Sequence, residues 1–248
     1  YFCLFADEKV PNNMSNPYFR FKQFTVWHDR CAMKVGTDGV LIGAWCDVDA
    51  CRRILDVGCG TGLISLMIAQ RTPDRTMIEG VEIDAVAAEQ AAENTDRSPW
   101  KNRLRIHTSD FLDFATSTTV RYDHIVSNPP YFEKSLLPED AARLTARHTG
   151  CLTYESLLRG AVSLLLPGGR ISLIFPAGLH DSVSAIAREY GLFVRRTMWV
   201  SGREGMPPKR VMVEWVNKPS EIREEHNLAI ETAPLEWTPE YIDLTRDF

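Results

Sequence analysis

From Arg52 onward, short apolar runs alternate with longer amphipathic ones. Runs 53–57, 77–83, 104–107, 122–127 and 171–175 each carry a short apolar stretch and read as strands. Between them, runs 63–69, 85–94, 153–166 and 181–190 carry helical spacing, and Gly191 stops the last. This order predicts an α/β fold, a mostly parallel sheet with helices on both faces. Two further β-rich runs, 194–200 and 211–216, are joined by Ser201 to Arg210, which contains Gly202, Gly205 and the pair Pro207-Pro208. So short a connection predicts an antiparallel C-terminal hairpin at the sheet edge, making seven strands. Residues 218–248 are polar and irregular, which predicts at most one more edge strand and a docked tail.

Before Arg52 the pattern changes. Gly36-Thr-Asp-Gly39 predicts a turn followed by a short apolar helix. Residues 1–13 read as a tail that need not be native, with Met14 a candidate start. One domain is expected over 14–248, with an extension at 14–50 and a catalytic core at 51–217.

The chain has 248 residues, 44% hydrophobic and 25% charged, so a globular domain is expected rather than a disordered chain. Six cysteines form no C-x-x-C pair and accompany no histidine cluster; reduced thiols are expected, and no metal. No run reaches the roughly 18 apolar residues of a membrane span, and the expected location is cytoplasmic. The formal charge of −5 disfavours holding nucleic acid by bulk charge. Local basic patches would be needed: Arg195, Arg196, Arg203, Lys209 and Arg210 in one stretch, Arg143, Arg147 and His148 in another.

Asp56-Val-Gly-Cys-Gly-Thr-Gly62 lies between a strand and a helix. Glycines there permit a tight turn and close approach of a ligand. The dinucleotide fingerprint G-x-G-x-x-G would need glycine at Leu63, so a dehydrogenase is disfavoured. The next strand ends at Glu82, where a carboxylate can accept from two ribose hydroxyls. The third ends at Asp110-Phe111, which can meet an adenine amino group and cover a ring face. Each acid taken alone reads as a helix cap. Three acids closing successive strands resemble the Rossmann-like class I S-adenosylmethionine-dependent methyltransferases. That resemblance implies S-adenosyl-L-methionine as cofactor, with Asp56, Gly58 and Gly60 near its methionine part, Glu82 on the ribose and Asp110 on the adenine. Ile83, Phe111 and Asn128 complete the expected set around it.

After the fourth strand comes Asn128-Pro129-Pro130-Tyr131. The prolines fix φ and donate no N–H, so a rigid turn with outward carbonyls is expected. The Asn128 side-chain oxygen and the Pro129 carbonyl can both accept from one amino group, while Tyr131 offers a face for stacking, worth roughly 1–3 kcal/mol per base. An amino group conjugated to a ring is a poor nucleophile. Holding both its N–H bonds directs the lone pair at an electrophile. The tetrapeptide resembles that of methyltransferases acting on adenine N6, cytosine N4, guanine N2 and the glutamine amide, and it does not choose among them.

The run Met33-Lys-Val-Gly-Thr-Asp38, together with Ala146-Arg-His-Thr149, Pro208-Lys-Arg-Val211 and the segment from Tyr241 to Phe248, resembles the bacterial tRNA adenine-N6 methyltransferases that modify the adenosine beside the anticodon of a valine tRNA. The resemblance implies a tRNA substrate, a monomer, and Lys34, Val35, Thr37 and Asp38 against the cofactor; capping and turn chemistry are their other reading. A release-factor glutamine methyltransferase would carry a sizeable helical domain before the glycine loop, where only about fifty residues stand. A DNA methyltransferase would need a target-recognition domain, for which 218–248 is too short. Guanine-N2 or adenine-N6 methylation of rRNA remains open, as does a non-catalytic cofactor- or RNA-binding module, although Asn128 and Tyr131 are intact. The long stretch 132–152 is expected to meet the RNA through Arg143, Arg147 and His148, with Lys209 and Arg210 assisting. Reversing the charges of Arg143 and Arg147 should weaken tRNA binding and spare cofactor binding; unchanged tRNA affinity would end that reading.

Overall fold

The computed structural model describes residues 16–31, 33–130, 152–221 and 223–248. Strands β1 (Tyr18–Arg20) and β2 (Thr25–Trp27) form an antiparallel hairpin, and α1 (Thr37–Trp45) follows. The core runs β3 (Arg53–Val57), α2 (Leu63–Arg71), β4 (Met77–Glu82), α3 (Ala85–Asp96), β5 (Leu104–Thr108), α4 (Phe111–Ser117) and β6 (Tyr122–Ser127). After the undescribed stretch come α5 (Tyr154–Leu164), β7 (Leu165–Pro176), α6 (His180–Glu189), β8 (Phe193–Arg203) and β9 (Arg210–Val216). The chain closes with β10 (Glu224–Ala233), β11 (Glu236–Trp237) and α7 (Pro239–Thr245).

One nine-stranded sheet has the order β11-β10-β8-β9-β7-β6-β3-β4-β5. β9 and β11 run antiparallel to their neighbours and the other pairings are parallel. In β3, Ile54 to Val57 are all buried, as a central strand covered on both faces requires. Residues of α1, α2 and α7 share one core cluster, and those of α4, α5 and α6 the other. The switch in strand order falls between β3 and β6, so the carboxyl ends of β3 to β6 frame a crevice where such sheets bind ligands. Caps set the helices leaving that edge: Asp84 accepts from the Val86 and Ala87 amides, and Asp110 from the Leu112 and Asp113 amides.

The seven strands read from the pattern form the body of the sheet, and β10 and β11 extend it. β10 is ten residues long and pairs in parallel with β8, so the tail is more regular than its polarity suggested. The first four residues of β10 are all exposed and only Leu228 is buried, which erases the alternation that marks a half-buried strand. Cys46, Cys51 and Cys59 are buried free thiols, and burial pushes Cys46 up to about 12.

At the end of the sheet away from the crevice, four adjacent strands share a buried polar network. His124 on β6 and Glu214 on β9 are fully buried. With the ring neutral, His124 Nδ1–H donates to the Asp47 carbonyl at 2.8 Å, and Nε2 accepts from the Ser172 hydroxyl at 2.8 Å. Glu214 pairs with Arg195, and Asp47 joins Arg170 at 2.7 Å to Arg195 at 3.0 Å. Burial depresses His124 to about 4, outweighing the attraction of Glu214. The unfolded chain takes up a proton near pH 6.5 that the folded chain refuses until about 4, so the contribution of His124 to stability falls as pH drops through that window, by an amount of the order of 3 kcal/mol. Urea unfolding of wild type and His124→Asn, compared from about pH 7 to about pH 4, should show this loss as the difference between them; the same pH dependence in both would contradict the assignment.

Candidate active site

The glycine loop sits at the carboxyl end of β3. The Gly58 and Cys59 amides donate to the Val81 carbonyl at 2.8 and 3.2 Å, and the Gly62 amide to Cys59 at 2.8 Å. Gly58 and Gly60 have φ of +69° and +53°, and a Cβ on either would meet no atom within 4 Å. The space above this turn is therefore open. Gly62 instead serves packing, since a Cβ there would lie 3.4 Å from Ala91 on α3.

Beside the loop is a cleft of ≈ 300 Å³ lined by Gly58, Gly60, Glu82, Ile83, Asp110, Phe111, Asn128 and Pro130. The structure thus brings together most of the cofactor set read from the sequence. Glu82 Oε2 accepts from the Gly60 amide at 2.8 Å and Oε1 from the Asp84 amide at 3.0 Å, so one carboxylate sets two loops. Asp110 both lines the cleft and caps α4 through Oδ1. Phe111 is 5% exposed and lies against α5, where a Cβ on Gly160 would be 2.7 Å from its ring. Ile83, 55% exposed, presents the wider apolar face.

Asp56 lies fully buried behind the loop and is not part of the cleft lining. Its Oδ2 accepts from the Ser65 amide at 3.1 Å and hydroxyl at 2.7 Å, while Oδ1 has no partner. Burial, with a smaller contribution from Glu82, pushes its carboxyl up to about 7. An open glycine cradle with the Glu82 carboxylate at its rim fits a ligand carrying ribose hydroxyls, as S-adenosyl-L-methionine does.

Asn128 and Pro130 border the same cleft, and Pro129 is buried. The Ser127 hydroxyl donates to the Val57 carbonyl at 2.6 Å, fixing the end of β6 against β3. Tyr131, Arg143, Arg147 and His148 lie outside the described residues.

Lys34, Val35, Thr37 and Asp38 are not among the cleft's lining residues. The Val35 amide donates to His28 Nδ1 at 3.4 Å, and Val35 packs on the core. Asp38, in the first turn of α1, accepts from Arg210 Nε at 2.9 Å. The N-terminal segment instead contributes Cys31 and Met33 to the cleft, which the sequence reading missed. Their role depends on where that segment docks, and no local pattern encodes it.

The basic stretch also changes meaning. Arg195 pairs with Glu214 and Asp47, and Arg196 stacks over Trp45 at 4.5 Å and approaches Glu224 at 3.6 Å. Arg203 pairs with Glu231 at 3.5 Å and Arg210 with Asp38, so these arginines are structural partners rather than an open patch. Lys209 is exposed. Among the described residues, no group of three or more His, Cys, Asp or Glu side chains is placed to hold a metal ion. No described helix is long and apolar enough to cross a membrane.

Residues 39–185 match the family model of the methyltransferase small domain. A Bacteroides fragilis protein named tRNA1(Val) (adenine(37)-N6)-methyltransferase is 48% identical over 236 residues, covering 95% of this chain and 98% of that one. A Yersinia pestis protein of the same name is 45% identical over 230 residues, covering 93% and 92%. The chain belongs to this family of methyltransferases. Two solved structures share its fold. An Agrobacterium tumefaciens protein described as an O-methyltransferase has a TM-score of 0.67 at 21% identity, covering 85% of this chain and 96% of that one. A Listeria monocytogenes protein described as a class I S-adenosylmethionine-dependent methyltransferase has a TM-score of 0.56 at 16% identity, covering 85% and 68%.

Gly60→Ala tests the cradle. Nothing near its Cβ would clash, but φ of +53° strains any other residue, and the methyl group enters the ligand space. The variant should remain folded and bind S-adenosylhomocysteine at least about tenfold more weakly; unchanged affinity would remove the loop from the site.

Proposed function

We propose that this chain transfers the methyl group of S-adenosyl-L-methionine to N6 of an adenosine in tRNA, the adenosine at position 37 beside the anticodon in the relatives' names. The observation that carries this reading is that Asn128 and Pro130 border the same cleft as Gly58, Gly60, Glu82 and Asp110. The acceptor turn and the cofactor cradle thus share one space.

S-adenosyl-L-methionine supplies an electrophilic methyl group on a sulfonium centre. The glycine loop, backed by Asp56 through Ser65, would hold its methionine part, Glu82 the ribose, and Asp110 with Ile83 the adenine. The Asn128 side-chain oxygen and the Pro129 carbonyl accept from the target amino group. Those two bonds favour a pyramidal nitrogen, with its lone pair aimed at the methyl carbon. Positioning of this kind lowers a barrier by about 7–11 kcal/mol at best, so a strong general base is not required. The target base must leave its stack, at a cost of a few kcal/mol, and stacking on Tyr131 returns part of it. Arg143, Arg147, His148 and Lys209 are the proposed phosphate contacts, and a tRNA substrate places the work in the cytoplasm. The release-factor and rRNA readings share the tetrapeptide, but near-full-length relatives named for tRNA favour the tRNA reading.

Asn128→Ala removes one of the two acceptors. We expect kcat on tRNA to fall by about 100-fold or more, while S-adenosylhomocysteine binding changes far less. A variant that retains full activity would refute this mechanism.

A further inference from the structure

The helix α3 is alanine-rich, yet it carries two buried side-chain amides one turn apart: Gln90 and Asn94 are each 1% exposed. Buried amides are costly unless satisfied, and both are satisfied mainly by the segment Trp27–Cys31, which lies along the helix. Asn94 Oδ1 accepts from the Trp27 amide at 2.9 Å and Nδ2 donates to the Trp27 carbonyl at 2.9 Å, imitating a strand neighbour. Gln90 Oε1 accepts from the Arg30 amide at 3.0 Å and Nε2 donates to Asp29 Oδ1 at 2.8 Å. Arg30 adds ion pairs to Glu93 at 2.6 Å and Glu89 at 3.3 Å. Asn94 Nδ2 also donates to the Thr61 carbonyl at 2.9 Å, inside the glycine loop. Directly beyond this latch, Cys31 and Met33 form a wall of the cleft, and Met33 is 58% exposed.

We infer that Gln90 and Asn94 are positioning residues for cofactor binding: they latch the N-terminal strap to α3, so that Cys31 and Met33 close one side of the cleft while Asn94 holds the glycine loop in register with that wall. This rests on the cleft being the S-adenosyl-L-methionine site. The hairpin β1–β2 and His28, whose Nε2 lies 2.9 Å from the Asn16 carbonyl, anchor the start of the strap separately. Loosening the latch therefore frees the wall without releasing the whole N-terminal segment.

The test is titration of S-adenosylhomocysteine into the full chain, without RNA, for wild type, Gln90→Ala, Asp29→Ala and Met33→Ala. Gln90→Ala and Met33→Ala should each raise Kd about tenfold, and Asp29→Ala about threefold. In Gln90→Ala the KM for S-adenosyl-L-methionine should rise with Kd, while kcat at saturation and the KM for tRNA stay near wild type. A residue that only supports the fold would lower Tm without that split. A folded Gln90→Ala variant with wild-type Kd overturns the inference. Should Gln90→Ala not fold, unchanged Kd in both Asp29→Ala and Met33→Ala overturns it equally, because Asp29 and Met33 are exposed. Failure of wild type itself to bind S-adenosylhomocysteine would strike the cofactor reading instead.

Discussion

Glu82 accepts the Gly60 amide with one carboxylate oxygen and the Asp84 amide with the other. That pair of bonds joins the turn leaving β3 to the turn leaving β4. Without it, a loop with three glycines at positive φ would have little reason to keep one shape, because glycine gives up more conformational freedom on folding than any other residue. With it, amides, carboxylate and open space stand in a fixed relation, and neighbouring elements are built around the result. Asp84 caps α3, α3 presents Gln90 and Asn94 to the strap, and Asn94 returns to the loop at Thr61. The order established at Glu82 thus reaches the cleft wall some fifty residues earlier in the chain.

The two ends of the sheet divide the work. At the carboxyl ends of β3 to β6, glycines and the acids Glu82, Asp84 and Asp110 line an open cleft, and one oxygen of Asp56 stands unsatisfied behind it. At the opposite end His124, Ser172, Glu214, Asp47 and three arginines form a dense, satisfied network that ties the end of α1 to β6, β7, β8 and β9. Breaking a buried pair of that kind leaves an uncompensated charge, so this end holds the scaffold while the other meets ligands.

The sequence discloses what is local and periodic. The bounds of β3 and β6 are legible residue for residue, because each carries a short apolar stretch, Ile54-Leu55 and Ile125-Val126, just before a sharp stop in glycines or prolines. The glycine turn, Glu82, Asp110 and Asn128 are legible because chemistry at strand ends falls on a shared edge in such a sheet. Features that depend on distant partners are not. Arg195 and Arg196 look like a surface patch in the sequence, whereas Glu214, near in space and remote from them in pattern, holds them. Asp38, expected at the cofactor, is found on Arg210. Gln90 and Asn94 look like ordinary polar positions of a helix, since nothing local announces a strap lying across them. The helix α4 goes unread when Phe111 is weighed only as a ring cover, although Asp110 starting a helix is the simpler reading.

The central claim is that a cofactor cradle and an amino-acceptor turn share one cleft and act on adenosine in tRNA. The most direct measurement incubates the chain with methyl-labelled S-adenosyl-L-methionine and bulk tRNA from a strain lacking this activity, then digests the RNA and identifies the labelled nucleoside. Label in N6-methyladenosine is the predicted result. Label confined to a different nucleoside, or no transfer at all, would contradict the account.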